Sequence, residues 1–213
     1  MNNKPPTLYS YNECPFAMRA RMALVISDIQ CEIREINLKH KPHTFLLLSK
    51  KATVPILELS NGLIIDESID IMRYALSIND PHNWLKCTEA LPLVERADNV
   101  FMDTFRRYKH PEGYPGESWQ TNFELFLSIL ETALYKNDGY LDESKRFTLK
   151  DAAILPLVYK VALLDEVWWQ ALPFSKTQIW FNQFKSSGLL NDIMTKHPVW
   201  KENHSRAEWL LAS

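Results

Sequence analysis

The hydrophobic residues of the first eighty positions switch between the period of a strand and the period of a helix. The pattern predicts strands over 8–11, 31–38, 54–60 and 63–66 and helices over 15–28, 42–50 and 67–77. Asn61-Gly62 is a strong hairpin signal. Pro55 cannot lie inside a central strand, so it is predicted to begin one and is a candidate for a cis peptide bond. The element order is βαβ followed by ββα.

After residue 88 every periodic segment has helical spacing. Five apolar residues fall on one helical face: Val94, Ala97, Phe101, Phe105 and Tyr108. Further helices are predicted over 117–136, 149–164 and 176–185, with a shorter element to 196. Thr148 and Asp151 have the spacing of a capping box, which indicates helix stability rather than chemistry. We therefore predict an α/β domain over 1–78, a linker over 79–87 and an all-helical domain over 88–213.

Composition and charge exclude several classes of partner. The net charge is −2 and the basic residues are scattered, so no nucleic acid is expected. The longest apolar run, 152–164, contains Pro156 and Lys160 and is too short to cross a bilayer, so no membrane partner is expected. The first residues lack the pattern of a signal peptide, which favours the cytoplasm. The three cysteines have neither metal-site nor disulfide spacing and are expected to be free thiols.

Cys14 lies between a predicted strand and a predicted helix. Because proline is favoured at the first helical position, Pro15 places Cys14 at the N-cap, beside unpaired amide groups and the positive end of the helix dipole. Such a position lowers a cysteine pKa below its free value of about 8.5. Arg19 and Arg21 are candidates to lower the pKa further, the alternative being that both are solvated. We therefore expect Cys14 to be a reactive thiolate rather than a small core residue.

Four short motifs stand at the ends of the predicted elements. They are Cys14-Pro15-Phe16-Ala17, Asn37-Leu38-Lys39-His40-Lys41-Pro42, Thr53-Val54-Pro55-Ile56 and Asp66-Glu67-Ser68. In this order and spacing they resemble the cytosolic glutathione transferases, and Cys-Pro-Phe-Ala is most similar to the omega class and its cysteine-dependent relatives. The resemblance covers both domains. It implies a thioredoxin-like first domain, an all-helical second domain and a homodimer.

The resemblance also implies how the two ends of glutathione bind. Ser68, at the start of the third helix, would bind the γ-glutamyl carboxylate, since a helix N-terminus favours anions. Glu67 would pair with the amine of the ligand. Lys41 would bind the glycyl carboxylate through a charge-assisted hydrogen bond.

The middle of the ligand would lie beside the thiol. The Val54 backbone, next to a cis Pro55, would bind the cysteinyl amide as an added strand does, and Phe16 and Leu38 would line the site. Cys14 is implied as the catalytic thiol for thiol transfer or reduction. Because Ala17 stands where a second cysteine could form a Cys-x-x-Cys disulfide, a monothiol cycle without metal or further cofactor is expected.

Other interpretations stay open from the sequence. Tyr9, Ser10 and Tyr11 are rival activators, because other classes of the family use a hydroxyl near this strand, and such a site would perform conventional conjugation. A non-enzymatic binding protein, or a relative of the chloride intracellular channel proteins with their similar Cys-Pro-Phe motif, is a further alternative. The second substrate would be a small electrophile or a disulfide. Four residues are candidate walls of its pocket: Tyr108, Arg107, Trp119 and Trp168.

Overall fold

The computed structural model of the 213-residue chain describes residues 4–87, 89–202 and 208–210. The chain forms two compact units. The first comprises Met1–His82 together with Ser187–Ser213, and the second comprises Asn83–Ser186. The division after His82 falls inside the predicted linker, whereas the inclusion of Ser187–Ser213 in the first unit departs from the predicted domain over 88–213.

The first unit is built on a mixed sheet. Its strands are β1 (Thr7–Ser10), β2 (Cys31–Glu35), β3 (Ile56–Glu58), β4 (Ile64–Ile65) and β5 (Glu208–Leu210). Within the described residues the helices are α1 (Pro15–Ile26), α2 (His43–Leu48), α3 (Ser68–Ile78), α4 (Leu91–Lys109), α5 (Trp119–Lys136), α6 (Leu149–Ala162), α7 (Glu166–Ala171), α8 (Ser175–Lys185) and α9 (Gly188–Ile193). The strand order is β4-β3-β1-β2-β5, with β1 and β2 parallel and the other pairs antiparallel. The predicted βαβ-ββα order is confirmed.

The predicted hairpin forms, with shorter strands than the pattern suggested. Leu57 and Glu58 pair with Ile65 and Ile64. Gly62 in the connecting turn has φ +85°, a left-handed conformation that glycine adopts without steric penalty. The peptide bond between Val54 and Pro55 is cis, as the sequence predicted.

The helix that follows Cys14 is almost completely buried in the first unit. Helix α1 packs against α3, and its Arg19 and Arg21 side chains are 0% and 1% exposed. The interpretation that these arginines are solvated is therefore wrong. The spacing of apolar residues in α1 did not reveal this burial, because the buried residues cover all sides of the helix.

The last described strand explains why the C-terminal segment belongs to the first unit. Cys31, Glu32 and Ile33 of β2 pair with Leu210, Trp209 and Glu208 of β5 in an antiparallel register. This edge pairing has no strong local signal, because strand preference depends mainly on the neighbouring strand. The expectation that 88–213 is wholly helical is wrong at this strand.

The second unit is helical. Helix α6 is buried along nearly its whole length and packs against α4 and α8. Its predicted capping box is confirmed. The Thr148 hydroxyl accepts from the Asp151 backbone amide, and the Asp151 carboxylate accepts from the Thr148 backbone amide. The sequence did not predict α7, which Asp165 caps by accepting a hydrogen bond from the Trp168 amide. In the portion of the chain that is described, no helix has the length and apolarity needed to cross a membrane.

Candidate active site

The four motifs meet at one cavity of about 400 Å³ in the first unit. Its lining residues are Cys14, Phe16, Leu38, Lys41, Thr53, Val54, Pro55, Asp66, Glu67 and Ser68. All eight predicted site residues are among them. Thr53 and Asp66 were not predicted to be site residues, although both stand in the motifs that carry the resemblance. The structure thus brings the predicted residues together, and the role of each toward a ligand stays a prediction.

Cys14 is partly buried at the N-terminal end of α1. It is the N-cap residue with extended backbone (φ −82°, ψ 118°), and Pro15 occupies the first helical position as predicted. The Cys14 thiol makes a long contact of 3.9 Å with the carbonyl oxygen of Val54. The thiol therefore lies between the helix N-terminus and the segment that precedes the cis proline.

The pKa of Cys14 differs from the sequence-based expectation. Burial raises the pKa above the ordinary thiol value and outweighs the opposing effects of the Ala17 and Phe16 backbone amides and of Arg21 and Arg19. The expected groups do stabilise the thiolate, but desolvation disfavours the charged form more strongly. The prediction of a lowered pKa is therefore wrong.

The segment after β4 carries the predicted γ-glutamyl site. Helix α3 begins at Ser68, which is 6% exposed, and Glu67 is its N-cap residue. The exposed Glu67 carboxylate forms an ion pair with Lys51. Asp66 accepts a hydrogen bond of 2.6 Å from the Ser49 hydroxyl. The segment between α2 and β3 is thereby attached to the start of α3 at two points.

Lys41 is bonded to the same segment. Its ammonium group donates to the carbonyl oxygen of Ala52 at 2.9 Å. An ammonium group has three donors, so this hydrogen bond leaves capacity for an anionic ligand in the cavity. Phe16, on α1, has the Arg19 guanidinium 5.1 Å from its ring centroid.

The rival hydroxyls of β1 have other partners. The Tyr9 hydroxyl donates to Glu58 at 3.0 Å and accepts from Arg34 at 2.7 Å. Burial raises the pKa of Tyr9 to about 12. Ser10 is fully buried and its hydroxyl accepts a 2.5 Å hydrogen bond from Arg21. Both hydroxyls are thus engaged in the packing of the sheet.

The four candidate wall residues all lie in the second unit. The Tyr108 and Trp119 rings meet edge to face at 5.8 Å between centroids, and Trp119 and Trp168 do so at 5.0 Å. Arg107 is paired with Asp103 at 2.6 Å and with Glu117. Three of the four residues therefore form one aromatic cluster, while the fourth has carboxylate partners of its own.

All three cysteines are free thiols, as predicted. Over 4–87, 89–202 and 208–210, no group of three or more His, Cys, Asp or Glu side chains has an arrangement that could hold a metal ion.

Known proteins share both the first-unit sequence and the fold. A family model described as "Glutathione S-transferase, N-terminal domain" matches residues 8–83. Rat glutathione S-transferase omega-1 is 32% identical over 166 residues, which cover 74% of this chain and 68% of that relative. The chain belongs to the glutathione S-transferase family, and this relative is of the omega class.

Two solved structures agree with the fold. A Leishmania protein described as a unique trimeric glutathione transferase matches with a TM-score of 0.72 and 20% identity, covering 90% of this chain and 46% of that chain. Glutathione transferase Omega 2C from Trametes versicolor matches with a TM-score of 0.68 and 15% identity, covering 89% and 93%. At these identities the likeness concerns the fold. The predicted thioredoxin-like sheet followed by a mostly helical region is confirmed.

Proposed function

We propose that this protein binds glutathione in the first-unit cavity and uses Cys14 for glutathione-dependent thiol transfer or for the reduction of small substrates. The observation that carries the proposal is the convergence of Cys14, Lys41 and Ser68 on one cavity. These side chains offer a thiol, a cation and a helix N-terminus to a tripeptide with a central thiol and a carboxylate at each end.

The ends of glutathione fix its direction in the cavity. The γ-glutamyl carboxylate binds at the start of α3, where the Ser68 N–H and hydroxyl donate. The ligand's amine pairs with Glu67, for which Lys51 is a competing cation. The glycyl carboxylate binds Lys41. The cysteinyl amide bonds the backbone of Val54, which brings the ligand's sulfur next to Cys14.

The thiol-transfer cycle exchanges one S–S bond for another in each step. The Cys14 thiolate attacks the glutathionyl sulfur of a mixed disulfide, GS–SR, and RS⁻ leaves as Cys14–S–SG forms. A second glutathione, as its thiolate, then attacks the Cys14-bound sulfur atom of glutathione, and GSSG leaves with Cys14 restored as thiolate. Ala17 offers no internal resolving thiol, so the second glutathione is required.

Conventional conjugation is a second candidate because burial raises the pKa of Cys14. A neutral Cys14 thiol at neutral pH could donate a weak hydrogen bond to the glutathione thiolate, which would then attack an electrophile itself. In that reaction Cys14 forms no covalent bond. The two candidates therefore differ in whether turnover requires the Cys14 sulfur.

The decisive experiment compares wild type with Cys14→Ala on three substrates: a glutathionylated disulfide, dehydroascorbate and an aryl halide. We expect the first two activities to disappear in the variant. Cys87→Ala is the matched control, since it removes a partly buried thiol of the second unit and should leave all three activities unchanged. Survival of every activity in Cys14→Ala would contradict the thiol mechanism and favour conjugation. Failure of wild type to bind immobilised glutathione would favour a non-enzymatic protein.

We also propose a homodimer that acts on electrophiles or disulfides in the cytoplasm, in a detoxifying role. The dimer rests on family resemblance, whereas the Leishmania structure of this fold is described as trimeric. Sedimentation at micromolar concentration tests the dimer, and cell fractionation tests the compartment. A monomer, or recovery with membranes, would contradict the corresponding part.

A further inference from the structure

A buried arginine is bonded to the turn that carries Cys14. The turn spans residues 11–14 and is closed by a hydrogen bond of 3.0 Å from the Cys14 amide to the Tyr11 carbonyl oxygen. The Arg21 guanidinium donates to the same Tyr11 oxygen at 3.3 Å and to the Asn12 carbonyl oxygen at 2.8 Å. Arg21 thus bonds two consecutive carbonyl groups in the turn, three and two residues before Cys14.

Asn12 connects this turn to two further parts of the first unit. Its backbone amide donates to the Glu35 carboxylate at 2.8 Å, and its side-chain amide donates to the Met194 carbonyl oxygen at 3.4 Å. Asn12 is therefore hydrogen-bonded to residues of α1, of β2 and of the segment after α9. Its side chain contributes one of these bonds and its backbone contributes two.

The two charged side chains of this network, Arg21 and Glu35, are buried. Arg21 is 1% exposed and Glu35 is 8% exposed. Burial lowers the pKa of Arg21 to about 10, while the negative charges of Glu35, Cys14 and Glu13 oppose that shift. A guanidinium stays protonated at neutral pH, and opposite charges and hydrogen bonds offset the cost of burying it.

We propose that Arg21 is a positioning residue for Cys14, because its buried guanidinium fixes the turn over 11–14 that holds the thiol against Val54. The same charge favours the ionised form of the Cys14 thiol. The proposal rests on the proposed function only in the measurement of kcat for thiol transfer. The reactivity of the thiol can be measured without glutathione.

The test follows alkylation of each cysteine by iodoacetamide against pH, read by mass spectrometry of the peptides. The charged groups that face Cys14 or Arg21 are Glu13 in the turn, Arg19 on α1 and Glu35 on β2. Arg21→Met should move the Cys14 midpoint upward and slow alkylation at pH 7.5 by about three- to tenfold, since one pKa unit changes the thiolate fraction about tenfold. Arg21→Lys should keep the midpoint near that of wild type, because the charge remains.

Two readouts separate positioning from general stability. In Arg21→Lys the single ammonium cannot reproduce the fork geometry of a guanidinium, so the Cys14 amide should exchange with solvent faster and kcat for thiol transfer should fall several-fold. Lys150→Met is the matched control, since it breaks a buried ion pair of 2.9 Å with Asp142 in the second unit. That variant should slow alkylation of Cys87, whose pKa Lys150 lowers, and leave Cys14 unchanged.

Arg21→Met leaves Glu35 without its buried countercharge and could fail to fold for that reason. The double variant Arg21→Met/Glu35→Gln removes both charges and keeps an oxygen that accepts from the Asn12 amide. A folded double variant with the wild-type midpoint and wild-type exchange at Cys14 would overturn the proposal. If neither variant folds, Arg21→Lys decides: faster exchange of the Cys14 amide supports the proposal and unchanged exchange refutes it. Absence of thiol-transfer activity in the wild-type protein would instead refute the proposed function.

Discussion

The Cys14 sulfur lies 3.9 Å from the carbonyl oxygen of Val54, so the neutral thiol has an acceptor in the cavity wall. Ionisation gives up this contact and leaves negative charge beside a carbonyl oxygen. A hydrogen bond made by the neutral form disfavours the charged form, which adds to the effect of burial. At the N-cap of α1, the helix amides therefore favour the Cys14 thiolate, while the Val54 carbonyl oxygen favours the neutral thiol.

This arrangement predicts how the three cysteines react with pH. Alkylation of Cys14 should rise through a midpoint above the ordinary thiol value of about 8.5. Burial raises the pKa of both Cys14 and Cys87, but Cys14 lines the cavity and has helix amides that favour its thiolate, so it should react before Cys87. Cys31, whose pKa burial raises to about 12, should stay unmodified in the folded protein.

Alkylation of each thiol over pH 6–10 checks the order. A first reaction at Cys31 or Cys87, or a Cys14 midpoint below 8.5, would contradict it.

Removal of the γ-glutamyl contacts should weaken glutathione binding in a folded protein. Ser68→Ala loses a hydroxyl donor and Glu67→Ala loses the carboxylate for the amine, and each loss should cost about 1 to 3 kcal/mol of binding. Isothermal calorimetry measures the change.

Lys51→Met is the control for Glu67→Ala, since Lys51 is paired with that carboxylate. Its affinity for glutathione should not fall, because a competitor of the ligand's amine is removed. Unchanged affinity in both alanine variants would exclude this placement of the ligand.

Cys14→Ser should separate the two reaction types. A hydroxyl cannot form the mixed disulfide, so thiol-transferase and dehydroascorbate-reductase activity should be lost. It can donate a hydrogen bond to the glutathione thiolate, so aryl-halide conjugation should be kept or should increase. Steady-state assays on both substrate types measure this, and disulfide activity that persists in Cys14→Ser would refute the cysteine mechanism.

Glu202 should stabilise the start of α2, and this stabilisation should depend on pH. Its carboxylate accepts from the Thr44 amide at 2.8 Å and from the Thr44 hydroxyl at 2.9 Å. These hydrogen bonds lower the pKa of Glu202 below 4.5. A lowered folded-state pKa means that the stabilisation is present above the unfolded value and is lost as pH falls through the folded value.

Amide exchange at Thr44, corrected for intrinsic rates, should therefore be slow at pH 6 and faster near pH 3. Glu202→Gln should remove this dependence on pH, because the amide does not titrate in that range. A Thr44 exchange profile identical in wild type and variant would show that the carboxylate has no such role.

Asp151 should be essential to the stability of the second unit. Its buried carboxylate accepts from the Leu141 amide at 3.1 Å, the Thr148 amide at 3.0 Å and the Trp180 indole at 2.9 Å. Asp151→Ala leaves these donors without an acceptor and should lower the free energy of unfolding by at least about 3 kcal/mol.

Urea unfolding followed by tryptophan fluorescence measures the loss. Asp151→Asn keeps one oxygen acceptor and should lose less than Asp151→Ala. Equal stability of the alanine variant and wild type would contradict the role of this carboxylate.

The sequence by itself determined the features that depend on near neighbours in the chain. Pro15 placed Cys14 at a helix N-cap, Asn61-Gly62 marked the hairpin, and Thr148 with Asp151 marked the start of α6. The order of strands and helices followed from hydrophobic periodicity. Each of these signals is local, since a cap, a turn or a periodic face is defined within a few residues.

Only the tertiary structure decided the features that depend on distant residues. The spacing of α1 did not show that Arg21 is buried, because the groups that bond it come from β1 and from the turn that carries Cys14. Strand β5 exists because the edge of β2 is available to it. The pKa of Cys14 rises because desolvation by the folded chain outweighs the local helix amides. Burial sums over the whole unit, so no short segment of sequence could predict its extent.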